Sequence, residues 1–228
     1  ATDGLSALQD SIWQGAADNK AADPVANAIY ASAVNEPDGV IDVHMIRADT
    51  AMKARFRRCV HDSPLIRLEG FDPDTTPYPS APEGTPPPDG LSMDAEYAFY
   101  PAETDCVRLT IRYRGDSTVY FGTDYTVCRF QNGRWETLPG ADAWNSLLIG
   151  IGRPQFPVPG DARQTKEYAY GFTARLAPRI YPSVYARYRI CKNVYMENPR
   201  RDYLLTADFT VTPFVPFTRF PEQTGDNN

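Results

Sequence analysis

The stretch Cys106-Val107-Arg108-Leu109-Thr110-Ile111-Arg112-Tyr113-Arg114 decides the fold. Val107, Leu109, Ile111 and Tyr113 alternate strictly with Cys106, Arg108, Thr110, Arg112 and Arg114. Successive side chains of an extended chain point to opposite sides, so this pattern describes a half-buried strand with one apolar face and one wet face. The arginines Arg108, Arg112 and Arg114 read as a solvated sheet face rather than an anion site, because exposed charges of this kind gain little from fixed partners.

The same texture continues along the chain. Arg114-Gly115-Asp116-Ser117 makes a turn, Val119 to Phe130 reads as the next extended segment, and Asn132-Gly133 is a hairpin signal because both residues tolerate positive φ. Arg134 to Leu138 should return beside it, with Trp135 packed in the sandwich. After the irregular connection closed by Pro159-Gly160-Asp161 come three further strands: Thr165 to Phe172, with Tyr168, Tyr170 and Phe172 on one face, then Tyr185 to Val194 and Tyr203 to Thr212. About seven or eight strands with no helix among them is the count of an immunoglobulin-like sandwich. The expected class is therefore mainly β, an immunoglobulin-like antiparallel β-sandwich over 91–212.

Toward the N-terminus the period changes. Val40 to Ile46 is a β-branched run, and Asp49-Thr50 offers an N-cap. Met52, Phe56, Cys59 and Val60 then share one helical face, Ser63-Pro64 stops the helix, and Leu65 to Leu68 resumes a strand. This is a small strand–helix–strand element over 40–69, inside an N-terminal region 1–71 whose first 39 residues fit either short helices or a poorly ordered arm. Seven prolines between Pro73 and Pro88 mark 72–90 as a connector. No basic residue flanks Pro86-Pro87-Pro88, so a semi-rigid spacer laid over the surface is preferred to an SH3 or WW ligand. In the tail 213–228, prolines interleave with Phe214, Phe217 and Phe220, which predicts a segment lying across the protein, with a partner-binding segment as the sharper alternative.

Composition excludes several function classes. A net charge of −6 over 228 residues repels phosphate backbones, which argues against a general nucleic-acid binder. Every apolar run is cut well short of a membrane-spanning length by Arg, Asp or Pro. The four cysteines, Cys59, Cys106, Cys128 and Cys191, contain no CxxC pair, so structural zinc and thioredoxin-like chemistry fall away. The chain opens at Ala1 without an initiator Met, which fits a processed exported protein and equally ordinary Met removal.

The order of several blocks resembles the bacterial immunoglobulin-like domain. They are Gly90-Leu91-Ser92-Met93, Tyr100-Pro101-Ala102, Val107 to Ile111, Val119 to Tyr125 and Asn132 to Pro139, followed by Pro159-Gly160, the Tyr168 strand, Ala186 to Ile190 and Leu205 to Val211. One departure stands before the penultimate strand, where that family reads Pro-Gly-Lys-Tyr-Arg and this chain reads Tyr185-Ala186-Arg187-Tyr188-Arg189. The resemblance implies an exported protein of a Gram-negative bacterium, of a kind often lipid-anchored or surface-exposed, and it carries over no catalytic residue. On the strand order it implies, Cys128 and Cys191 face away from the core on neighbouring strands. They are either bridged there or two separate, semi-exposed thiols. Cys59 reads as a small buried hydrophobe, with pairing to Cys106 the weaker alternative.

The remaining constellations have plain structural readings. His44 and His61 are the only histidines, and His61-Asp62-Ser63 is explained by helix termination, since adjacent residues rarely meet in triad geometry. Asp72, Asp74 and Glu83, or Asp116 with Asp124, read as loop carboxylates rather than calcium ligands. Neither a catalytic set, a metal nor a cofactor is expected. The candidate recognition residues are Trp144, Phe214, Phe217 and Phe220. The expected function is a non-catalytic extracytoplasmic binding module whose partner is a protein or glycan of the envelope. A hydrolase with its site between the N-terminal element and the sandwich is one alternative, and a purely structural spacer is the other.

Overall fold

In the computed structural model, the described residues are 2–19, 23, 25–140, 149–152, 167–176 and 185–213. Trp144, Phe214, Phe217 and Phe220 lie outside them. The elements are α1 (Thr2–Asn19), α2 (Val25–Ala28), β1 (Ile29–Asn35), β2 (Val40–Arg47), α3 (Thr50–Cys59), β3 (Ile66–Phe71), β4 (Leu91–Ala95), β5 (Phe99–Pro101), β6 (Cys106–Arg114), β7 (Thr118–Phe121), β8 (Thr126–Gln131), β9 (Arg134–Thr137), β10 (Ile149–Gly152), β11 (Glu167–Arg175), β12 (Ala186–Met196) and β13 (Arg201–Thr212). They fall into two compact units, one built on residues up to Pro79 and the other on most of the chain from Ser80 onward.

The first unit contains the expected strand–helix–strand element and more. β2 and β3 run parallel with α3 as their crossover, and β1 adds an antiparallel strand on the other edge of β2. Asp49 caps α3 as its side chain accepts from the Met52 N–H at 2.9 Å. The arm reading for the first residues is corrected: α1 is an 18-residue helix whose Leu5, Ile12 and Ala16 share one face and are buried with Val25, Ile41, Val43, Met45, Met52 and Phe56. The apolar face of α1 gives it the tertiary burial that an isolated helix of this length lacks.

The second unit is a two-sheet sandwich. One sheet runs β11–β6–β4, and the other runs β10–β7–β12–β13–β5, with β8 also paired to β12 and β9 to β8. The predicted inward residues Leu109, Val127, Tyr188 and Phe209 are all buried, and β6 alternates as its sequence required. Rings cross between the sheets, with Phe121 5.2 Å from Tyr170 and Tyr125 6.3 Å from Phe172. Asn132 and Gly133 both take positive φ in the β8–β9 hairpin, as that turn demands.

Two expectations are revised. The extended segment from Val119 to Phe130 is two strands, β7 and β8, which pair with different parts of β12. The break falls at Gly122-Thr123-Asp124, a turn-forming composition whose carbonyls are gathered by a buried lysine described below. Trp135 does not enter the interior either. It stands opposite Phe130 in the β8–β9 ladder, one residue out of step with Val127, and so lies on the outer face of its sheet. From Ser80 on, the proline-rich stretch, expected as a semi-rigid spacer laid over the surface, is hydrogen-bonded to the sandwich: Ala81 donates to the Trp135 carbonyl at 3.1 Å, Thr137 donates to the Ser80 carbonyl at 2.9 Å, and Leu204 donates to the Thr85 carbonyl at 2.8 Å.

Candidate functional site

β12 positions the chemistry of the sandwich because it is paired on both edges, to β13 along its length and to β8 and β7 on the other side. Its register sends Tyr188, Ile190, Lys192, Val194 and Met196 inward, and Arg187, Arg189, Cys191 and Tyr195 to the outer face. Neighbouring strands complete that face with Phe130 and Trp135 from β8 and β9 and Asp208 from β13.

The outer face carries an arginine–aromatic array. The Arg189 guanidinium lies 4.2 Å from the Trp135 ring centroid and donates two hydrogen bonds to Asp208, at 2.6 and 2.8 Å. Those bonds hold Arg189 firmly protonated, with its pKa raised above the ordinary value, and fix the planar fork over the indole. Arg187 sits 5.5 and 5.6 Å from the Phe130 and Trp135 rings while its side chain stays 58% exposed. A cation already oriented on an aromatic surface loses little freedom on meeting an anionic or polar partner. Tyr120 and Tyr195, cross-strand neighbours with centroids 6.4 Å apart, extend the aromatic character along the same face.

Beside this array the structure brings Cys128 and Cys191 together. Their sulfurs are 3.9 Å apart, both thiols are free, and both residues are buried although they face away from the interior. The Cys128 sulfur also lies 3.9 Å from the Thr137 hydroxyl. The neighbouring Cys191 thiol holds Cys128 below its ordinary pKa against the opposing effect of burial, with the Arg189 charge helping. Cys191, whose proton is held by Cys128 and which is also buried, is pushed up. The expectation of semi-exposed thiols is thereby corrected, and no bridge joins them in this structure. Cys106 is exposed and free, and Cys59 is half-buried and donates to Asp23 at 3.3 Å.

The sequence reading missed Lys192. It is buried on the inward face of β12, with its amine donating to the carbonyls of Gly122 at 2.8 Å and Asp124 at 2.6 Å. The Phe121 and Phe172 rings flank it at 5.5 and 5.1 Å, and desolvation lowers its pKa against a smaller opposing pull from Asp124. The signal was present in the sequence, since Lys192 occupies the inward register of Tyr188, Ile190 and Val194. Its role is to tie the β7–β8 connection to β12.

In the first unit the polar side chains pair with one another and with the backbone. The Ser63 hydroxyl accepts from the Leu65 N–H at 3.2 Å, which is the turn expected after α3. His44 faces Glu69 at 3.5 Å, while Arg67 binds Asp38 and Asp42 and keeps the Asp42 carboxyl below its usual range. Asp72 meets Lys53, and Asp74 accepts from the Thr50 N–H. Among the described residues no group of three or more His, Cys, Asp or Glu is disposed to hold a metal, and no helix is long and apolar enough to cross a membrane.

Comparison with known proteins gives the family of the sandwich. Residues 87–155 match the bacterial Ig-like domain family, so the sandwich contains a bacterial Ig-like domain. That family is typically non-enzymatic and its members often occur in extracellular proteins. No curated protein matches the chain. Solved structures similar to it include a structural-genomics target, at 11% identity over 58% of this chain and 93% of that one, with a TM-score of 0.30. A protein from Bordetella pertussis matches at 17% identity over 59% and 99% of the two chains, with a TM-score of 0.27. A family 123 glycoside hydrolase from Clostridium perfringens matches at 11% identity over 55% and 28%, with a TM-score of 0.26. At such scores these likenesses carry no argument about function.

Proposed function

We propose that the chain is a non-catalytic binding module of the bacterial cell envelope, acting outside the cytoplasm, which recognises a protein or glycan through the outer face of its sandwich. The observation that carries this reading is the arginine pair stacked on Trp135 and Phe130, on a bacterial Ig-like domain. Tryptophan and arginine are the side chains that most often dominate binding energy at recognition surfaces. Planar rings suit sugar faces as well as peptide, and the exposed Arg187 supplies a donor fork for carboxylate or sulfate groups.

The test immobilises the purified chain and measures retention of envelope fractions, with and without prior protease treatment of the fraction. Trp135→Ala together with Arg187→Glu is expected to weaken retention by at least about tenfold, the scale of one recognition hot spot. Circular dichroism checks that the variant keeps its fold. Sensitivity to protease assigns the partner to protein, and resistance assigns it to glycan. Retention unchanged by the double substitution removes the outer face from the reading, and no retention by the unmodified chain leaves the spacer reading in its place.

A further inference from the structure

We propose that Cys128 and Cys191 form an oxidisable dithiol, a modification site that a peroxide-class oxidant converts reversibly to a disulfide across β8 and β12. The proposal is independent of the partner and of the binding reading.

Three observations carry it. The two sulfurs lie 3.9 Å apart, in van der Waals contact, with both side chains already turned toward each other. Both residues are buried, which excludes a protein oxidoreductase as the direct oxidant of the folded chain and selects a small-molecule oxidant such as hydrogen peroxide. The two cysteines are also inequivalent. The Cys191 thiol at 3.9 Å holds Cys128 below its ordinary pKa, while Cys128, burial and the Asp208 charge push Cys191 up against a pull from Arg189 that both sulfurs share. A thiolate attacks peroxide and a thiol does not, so the environment fixes the order of events.

The step balances. The Cys128 thiolate attacks one peroxide oxygen, the O–O bond breaks, and hydroxide leaves, which makes Cys128 a sulfenic acid. Cys191 then attacks the Cys128 sulfur, the S–O bond breaks, and water departs with the Cys191 proton accounted for. In total two thiols lose two electrons and two protons, and one peroxide is reduced to two waters.

Reversibility follows from register. Cys128 stands opposite Arg189 and Cys191 opposite Thr126, so the pair is diagonal rather than directly cross-strand. Diagonal neighbours in a sheet have Cα atoms about 7 Å apart, at or just beyond the upper end of disulfide geometry. Closing the bond draws β8 toward β12, and a bond closed under such tension is more readily reduced than a relaxed structural one.

The experiment uses the full chain carrying Cys106→Ser, which removes the exposed thiol that could link two molecules. Folded protein is treated with hydrogen peroxide, the excess is destroyed, and remaining thiols are alkylated in denaturant before non-reducing peptide mass mapping. The expected product joins the Cys128 and Cys191 peptides with the loss of two hydrogens and leaves Cys59 alkylated. Dithiothreitol without denaturant should restore both thiols. Cys191→Ser should let a sulfenate-trapping dione label Cys128, whereas Cys128→Ser should give no label at Cys191. The proposal is overturned if Cys128 and Cys191 are both recovered alkylated, if Cys128 runs on to sulfinic or sulfonic acid without a link, or if the link resists dithiothreitol in the folded chain. Should either serine variant fail to fold, the mapping of the Cys106→Ser chain alone still decides.

Discussion

Lys192 places a charge on the inward face of β12, which costs solvation that its two carbonyl partners only partly return. Lys192→Met keeps the stem's packing and removes the charge, but leaves the Gly122 and Asp124 carbonyls without their donor. The net expectation is a loss of about 1 kcal/mol at neutral pH, the net worth of a hydrogen bond, since Gly122 is half-buried and Asp124 exposed, so that water replaces part of the lost donor, and relief of charge burial offsets more. The pH dependence has a definite sign. With the folded pKa below the ordinary 10.5, the unfolded chain binds more protons through that window, so wild-type stability rises as the amine deprotonates in the folded state and the gain is complete above 10.5. Urea titrations of both proteins at neutral and alkaline pH should therefore show the gap widening in favour of wild type. A gap that narrows on the alkaline side shows that the amine is not desolvated. The alternation that turns Cys191 outward from Tyr188 and Ile190 turns Lys192 inward, but a lysine reads as solvated on composition, and only the Gly122 and Asp124 carbonyls show its burial to be compensated.

Elements differ in how plainly their sequence announces them. β6 could be read side chain by side chain because one face is apolar and the other charged, and α3 because its cap, apolar face and stop signal agree. β1 was hidden because Ile29 to Asn35 shows only a weak alternation, with Ala and Ser in place of bulky strand formers, and its pairing with β2 is what makes it a strand. Trp135 was misplaced because a hairpin turn fixes register but does not say which face of a strand meets the core. That information sits with Val127 on the partner strand. Between α2 and α3, Asp23 ties the elements together, accepting from the Val25 N–H at 2.9 Å, from Arg55 at 2.7 Å and from the Cys59 thiol. Burial alone would push its pKa up, but these bonds outweigh burial and hold it below the ordinary 3.8. The stability it contributes is accordingly full above 3.8 and is lost as pH falls through the lower folded value. Asp23→Asn should cost about 1–3 kcal/mol at neutral pH, with the deficit shrinking in acid as wild type loses the same interaction. Thermal unfolding followed at both pH values checks this, and a deficit constant across the acid range excludes the carboxylate as its source.

At the scale of the whole molecule, the proline-rich stretch is better understood by its hydrogen bonds than by its composition. Composition marks 72–90 as a linker, yet Ser80, Ala81 and Thr85 are bound to Thr137, Trp135 and Leu204 of the sandwich, and Gly84 packs so closely on the Leu204 side chain that a Cβ there would lie 2.8 Å from that residue's own Cβ. Proline lowers the entropy lost when such a segment is fixed, which lets three backbone contacts hold it where a glycine-rich chain would remain free. The strap also meets the outer face at the residues that matter there, since Trp135 supplies the ring beneath Arg189, and Thr137 lies beside the Cys128 sulfur. A chain beginning at Ser80 should thus be more stable than one beginning at Gly90 by about 1–3 kcal/mol, the sum of three hydrogen bonds of ordinary net worth less the cost of ordering the strap. Chemical denaturation of the two fragments measures the difference. The shorter fragment should in addition alkylate Cys128 faster under native conditions, because loss of the strap frees Thr137 and opens the thiol to solvent. Equal stability together with equal alkylation rates would return residues 80–88 to the status of a spacer.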